Sequence, residues 1–391
     1  MKSIQAKRLD HFSTGIFADI DEKKEKLIAK GKKIYNLSIG TPDFPPEEHV
    51  IKAVMESAGK PEAYKYSLRD LPELLEAVVD YYKERFGVTL TSDMVTGVHG
   101  SQEGIGHVCM ALCDPEDVIL LPNPGYPIFE AGAYLSGAEQ YQYDLLEENN
   151  FLPVLSDIPK EIAKRAKVMV VSYPYNPVCK AAPDSFYDEL IAFAKKYDIF
   201  IIHDNAYSDI IFDGRKGGSF LQHPGAMEVG AEFFSLSKSF NVTGARLSFM
   251  IGRKDAIDAM KLLRSQIDFG IFIPAQMGAI AALKGSKDGV KRQCRLYQER
   301  RDALCGGFRS IGWNVPDSEG TMFVWAPVPK GYTSRSFTMA LMEKAGVLCT
   351  PGDAFGSRGE GYVRFALVLP PEELKKVVQA VKESGVLPEE E

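Results

Sequence analysis

Lys167-Val168-Met169-Val170-Val171-Ser172-Tyr173-Pro174-Tyr175-Asn176-Pro177, followed closely by Pro183-Asp184-Ser185-Phe186-Tyr187-Asp188-Glu189-Leu190-Ile191-Ala192-Phe193-Ala194-Lys195-Lys196-Tyr197, decides the fold. The first run is short, β-rich and apolar, and prolines punctuate its end. The second carries Phe186, Leu190, Ile191 and Phe193 as an apolar stripe at helical spacing. Strand, break and helix recur around Val118 to Leu121 and Ile199 to His203. Alternation of this kind predicts an α/β fold with a largely parallel sheet covered by helices on both faces.

Working outward, the alternation spans 46–285 and defines a large domain. A long charged helix over Lys287 to Arg309 then changes the pattern. Strands at Thr321 to Ala326 and Tyr362 to Leu367, with helices at Ser334 to Ala345 and Pro371 to Ser384, predict a smaller α+β domain. That domain is expected to comprise 1–45 and 286–391. The run Asp21-Glu22-Lys23-Lys24-Glu25-Lys26 reads as a solvated helix face, and the tail Pro388 to Glu391 as frayed.

The length of 391 residues suits two domains, and 45% hydrophobic with 25% charged residues is ordinary for a soluble protein. A net charge of −7 gives nucleic acid and anionic membrane no reason to bind. The apolar runs are too short to span a bilayer. Met1-Lys2-Ser3-Ile4-Gln5 begins no secretory signal, so a cytoplasmic chain is expected. Cysteines at 109, 113, 179, 294, 305 and 349 are too scattered for a disulfide framework, and no His cluster completes a metal site with them. They read as small buried hydrophobes.

Four motifs fall where strands end, which is where open α/β sheets form their crevice. Gly100-Ser101-Gln102-Glu103-Gly104 opens a helix, and helix N-termini attract phosphate; the same residues also suit an ordinary cap. Asn176 lies between two prolines and can donate to an oxygen, although a plain turn has the same composition. Asp204, in His203-Asp204-Asn205-Ala206-Tyr207, ends an apolar strand and needs a cationic partner there; His203 reads as a packed neighbour. Lys238, in Ser235-Leu236-Ser237-Lys238-Ser239, follows Phe233-Phe234, and burial lowers a lysine pKa toward nucleophilicity. Arg246, eight residues on, offers a fork for phosphate.

In this chain order the motifs resemble the class I/II aminotransferases of fold type I, which use pyridoxal 5'-phosphate. The likeness extends from Asn36-Leu37-Ser38-Ile39-Gly40-Thr41-Pro42-Asp43-Phe44 to Gly361-Tyr362-Val363-Arg364-Phe365. It implies a seven-stranded sheet and assigns roles. Lys238 would carry the cofactor and move the proton between substrate and cofactor. Asp204 would pair with the pyridinium nitrogen, making the ring an electron sink. Tyr207 and Asn176 would hold the phenolate oxygen, and Tyr126 would stack on the ring. Ser101, Gln102, Ser235, Ser237 and Arg246 would hold the phosphate. Arg364 would clamp the substrate α-carboxylate, helped by the Gly40 backbone. Tyr66, or Tyr64 two residues earlier, resembles the tyrosine that reaches the phosphate of a partner subunit, which implies a homodimer with shared sites.

Phe17-Ala18-Asp19-Ile20-Asp21, His203 to Tyr207, Ile267 to Phe272 and Pro351 to Gly356 look like the LL-diaminopimelate aminotransferase branch. The expected reaction exchanges an amino group between an L-amino acid and a 2-oxo acid, with glutamate and 2-oxoglutarate as one pair. A pyridoxal-phosphate β-lyase shares Lys238, Asp204 and Arg364 and is the alternative. A regulator with an aminotransferase-like domain needs a DNA-binding module ahead of Asn36, and the preceding residues are too few and not basic. The chain departs from the family where Val178-Cys179 replaces Thr-Gly. It does so again where Ala245 and Ser248 replace an aromatic and a Gly, and where Asp70 stands for a Gly. These departures bear on pocket shape.

Overall fold

The computed structural model describes residues 4–12 and 15–388, and of the helix Gly15–Ala29 the side chains from Ile20 onward. The readings of Met1 to Ser3, of the Phe17 to Asp19 side chains and of Glu389 to Glu391 lie outside the described residues.

Among the described residues the strands are β1 (Tyr35–Asn36), β2 (Val95–Val98), β3 (Val118–Asn123), β4 (Glu139–Asp144), β5 (Ala166–Ser172) and β6 (Phe200–Asn205). They continue as β7 (Gly230–Ser235), β8 (Ser248–Gly252), β9 (Phe323–Pro327), β10 (Val347–Leu348), β11 (Thr350–Pro351) and β12 (Tyr362–Ala366). A seven-stranded sheet runs in the order β2-β8-β7-β6-β5-β3-β4. β8 alone runs opposite to the other six strands. The strands β2, β3, β6, β7 and β8 are buried at every position, which explains why their sequences lack polar alternation. The helix Asp184–Tyr197 buries Phe186, Leu190 and Ile191, as its stripe predicted. The sheet and its covering helices are therefore the fold type I arrangement.

A second sheet, β11-β12-β9, is antiparallel, and the β1-β10 pair is parallel. The long helix is Asp288–Ser310. Its Arg300 makes a bidentate pair with Asp43 at 2.7 and 2.8 Å and donates to the Leu367 carbonyl at 2.8 Å. That fork pins the segment carrying Gly40 against the end of β12. Near the N-terminus, His11 stacks on Tyr134 of the helix Pro127–Ser136 at 3.9 Å. The helix expected over Ser334 to Ala345 is α-helical only to Ala340 and widens into a π-turn from Leu341.

Candidate active site

Parallel strands with their carboxyl ends on one edge deliver the site. Ser172, Asp204 and Ser235 stand at or next to the ends of β5, β6 and β7. Ser172 and Asp204 are register partners, and the Ser172 hydroxyl donates to the Asp204 carbonyl at 2.8 Å. Beyond Ser235 one helical turn, Leu236–Ser239, turns Lys238 inward, with the Ser235 hydroxyl capping it through the Ser237 amide at 3.2 Å.

These residues line a cavity of about 310 Å³. Gly40, Ser101, Gln102, Tyr126, Asn176, Asp204, Tyr207, Ser235, Ser237, Lys238, Arg246 and Arg364 all reach it. Tyr66 does not; it is 81% exposed, edge-on to Phe269 at 5.4 Å. Lys238 donates from Nζ to the Gly40 carbonyl at 2.8 Å, across 198 residues of sequence. Arg364 donates from Nη1 to Asn176 Oδ1 at 2.7 Å and from Nη2 to the Ser38 carbonyl at 3.2 Å. Its guanidinium lies 4.0 Å over the Phe323 ring.

One end of the cavity is an anion cradle. The helix Ser101–Leu112 begins there, and its partial positive charge faces in. Gly100 has φ +86°, and a Cβ there would strike the Arg246 guanidinium, so glycine is required for the two to meet. Arg246 is itself left-handed at φ +52° and donates to the Thr243 carbonyl at 2.9 Å. Ser248 donates to the Ser235 hydroxyl at 3.1 Å, giving this departure from the family pattern a supporting contact.

The electrostatics separate the two ends. Burial first, then Arg364 and Arg246, lower the Lys238 amine to about 8. Burial first, then the charge of Glu232, push the Asp204 carboxyl up to about 7. Burial raises the Tyr207 and Tyr126 hydroxyls, so both stay neutral donors. Cys179 lies outside the cavity, fully buried and left-handed at φ +60°, where it takes the place a glycine would fill in the turn. Its thiol is pushed up to about 11 by burial, which leaves it protonated and unreactive.

Sequence reasoning did not single out Phe323, Ser172, Thr243 or Ile128, which also line the cavity. Phe323 lay within a recognised strand, but apolar residues give no sequence sign of facing a site.

The family model for aminotransferase class I and II matches residues 32–381. The chain is 42% identical over 381 residues to LL-diaminopimelate aminotransferase of Moorella thermoacetica, covering 97% of each. It is 41% identical to the enzyme of the same name from Halothermothrix orenii, covering 97% of this chain and 98% of that one. The substrate-bound structure of BacF from Bacillus subtilis superposes with a TM-score of 0.93 at 34% identity, over 97% of this chain and 98% of that one. Fold and relatives thus define a pyridoxal-phosphate-dependent transaminase acting on small amino and keto acids. The chain belongs to the class I and II aminotransferases.

The residues present fit the cofactor. Asp204 Oδ1 is buried with no hydrogen-bond partner, placed to pair with a ring nitrogen. Ser101 Oγ is likewise orphaned in the anion cradle, and Arg364 Nε beside Asn176. A cation-seeking acid, an anion cradle and a near-neutral amine thus line one cavity.

Proposed function

We propose that this transaminase moves an amino group between an L-amino acid and a 2-oxo acid, with glutamate and 2-oxoglutarate as one pair. The observation that carries this reading is that Lys238, on the helical turn after β7 of the large sheet, and Arg364, on β12 of the second sheet, line one cavity. A substrate whose carboxylate is gripped by Arg364 then presents its α-carbon to Lys238. Bound pyridoxal 5'-phosphate supplies the electron sink that stabilises charge at the substrate α-carbon. Lys238 holds the cofactor covalently and carries the proton from the α-carbon. Asp204 holds a proton on the ring nitrogen. Tyr207 and Asn176 donate to the phenolate oxygen, and Tyr126 packs against the ring. Ser101, Gln102, Ser235, Ser237 and Arg246 grip the phosphate. Gly40 closes the wall beside Arg364.

The division into 46–285 and the remainder is supported by the separation of the seven-stranded sheet from β11-β12-β9. The homodimer is supported by an exposed apolar patch in which Tyr64 meets Phe272 and Tyr66 meets Phe269, with Leu68 also exposed. Among the described residues no helix is long and apolar enough to cross a membrane; a cytoplasmic location is part of the proposal. The names of the relatives make LL-diaminopimelate one donor to test.

The test is a donor screen with 2-oxoglutarate, scoring glutamate formed, together with the absorbance of bound cofactor when donor is added alone. Transfer predicts stoichiometric conversion of the cofactor to its aminated form without acceptor. Release of ammonia with the cofactor unchanged would instead identify a β-lyase.

A further inference from the structure

Behind Asp204 lies a second buried carboxylate that does not line the cavity. Asp204 and His203 are consecutive in β6, so their side chains leave opposite faces of the sheet. Across the ladder His203 pairs with Glu232 of β7, and Asp204 with Phe233. Asp204 therefore opens into the cavity, while His203 and Glu232 share the far face, both with no exposed surface.

Glu232 is held from several elements. It accepts from the Tyr82 hydroxyl of the helix Pro72–Phe86 at 2.7 Å, the Ser219 hydroxyl at 2.8 Å and the Phe220 amide at 2.8 Å. Its Oε2 lies 3.0 Å from His203 Nδ1. The other His203 nitrogen is 3.3 Å from the Tyr187 hydroxyl, and Tyr187 stacks on His223. Asp209 is a further acid on the Tyr82 side. Facing Asp204 from the cavity are Lys238, Arg364, Tyr126 and Tyr207, with Tyr175 close by.

Burial alone would push the Glu232 carboxyl up, but its bonds with His203, Tyr82 and Ser219 hold it below the usual carboxylate range. Asp204 has no such set of donors, and its Oδ1 is bare. The hidden acid thus has its donors within the protein, while the acid in the cavity is left to meet a cationic partner.

We propose that Glu232, held by His203, Tyr82 and Ser219, is an electrostatic positioning residue. It acts through the sheet to favour a proton on the ring nitrogen that Asp204 holds. The inference rests on the proposed pairing of Asp204 with that nitrogen. Strand spacing and opposite faces put the two carboxylates roughly 8–10 Å apart. At an effective dielectric of about 20, one charge at that range changes a protonation equilibrium roughly 15- to 35-fold, and about tenfold at the ring nitrogen, which lies a hydrogen bond's length beyond Asp204.

The experiment follows the 15N chemical shift of the pyridine nitrogen against pH, in holoenzyme loaded with ring-15N pyridoxal phosphate. Glu232→Gln is expected to lower the deprotonation midpoint by about one pH unit, a tenfold change. Tyr82→Phe removes a donor but no charge and is expected to reduce thermal stability while leaving the midpoint in place. If Glu232→Gln folds poorly, the pair His203→Asn with Glu232→Gln replaces the charge by a hydrogen-bonded amide pair and is read the same way. An unmoved midpoint in the Gln-bearing protein, or an equal shift in Tyr82→Phe, overturns the proposal. Asp204→Asn in the same titration separates the two readings. If it shifts the midpoint and the Gln-bearing protein does not, only the role of Glu232 fails. If Asp204→Asn leaves the midpoint unmoved, the pairing with Asp204 fails and this inference with it.

Discussion

Lys238 lies among cationic neighbours, and its amine is lowered to about 8 by burial and by Arg364 and Arg246. Only the neutral amine has a lone pair to offer the cofactor aldehyde. Covalent capture of pyridoxal phosphate by apo-protein should therefore accelerate as pH rises through that value; a flat profile would contradict it. Lys238→Ala should still bind the cofactor but lose essentially all turnover, and borohydride reduction with peptide mapping should label Lys238 in the parent protein alone. Asp204 has the opposite sign. Its folded value near 7 lies above the ordinary 3.8, so the apo-protein is stabilised below 3.8 and loses that stability as pH rises to about 7. The full loss is at most about 4 kcal/mol, at 1.36 kcal/mol per unit. Lys238, being lowered, changes its contribution only above about 8. A cationic ring nitrogen offsets the burden on Asp204, so thermal stabilisation by cofactor should be larger above pH 7 than at acid pH. Equal thermal shifts across that range would rule this out. Both residues were legible in the sequence because a charged group closing an apolar run is costly to bury unless a partner meets it there. Phe323 and Thr350 were not, because their place beside Arg364 is set by pairing between distant strands.

At the level of elements, the turn Asn176 to Ala181 is the most informative departure. Cys179 accepts the left-handed conformation at φ +60°, donates to the Pro177 carbonyl at 3.1 Å and receives the Thr321 hydroxyl at 3.4 Å. Glu319 ties the same turn to the segment leading into β9, through its amide to the Cys179 carbonyl at 2.9 Å and its carboxylate from the Ala181 amide at 3.0 Å. Cys179→Ser keeps the size and the hydrogen bonds, so it should cost about 1–2 kcal/mol of stability at most while retaining most activity. A loss of turnover matching Lys238→Ala would instead show thiol chemistry. The long strands and the helix Asp184–Tyr197 were readable because burial on both faces or on one stripe writes itself into periodicity. The two-residue strands β1, β10 and β11 were not, since so short a pairing has no period, and neither was the π-turn at Leu341. Asp70 likewise shows its purpose only in space, accepting from the Gly97 amide at 2.8 Å.

For the whole molecule, Tyr66 on its exposed patch tests the shared site. Tyr66→Phe should loosen the cofactor. Mixed with Lys238→Ala protein under subunit exchange, it should regenerate one site per mixed dimer that is intact at both residues, raising activity above that of either variant. A fully active monomer would remove the shared site. The patch was not visible as a patch in sequence, because its two segments, around 64–68 and 269–272, are some 200 residues apart. The same separation governs the cavity: Arg364 reaches Asn176 across 188 residues and Ser38 across 326. A chain emerging from the ribosome can pair β2 to β8 and still lack the clamp, for Arg364 arrives only with the last strand. The Ser38 carbonyl must wait for Thr350 and Arg364 through most of synthesis. On the proposed role of Arg364, full affinity for a substrate carboxylate comes only when nearly the entire chain has been made, and a truncated product is expected to keep the anion cradle but to have no grip on an amino acid.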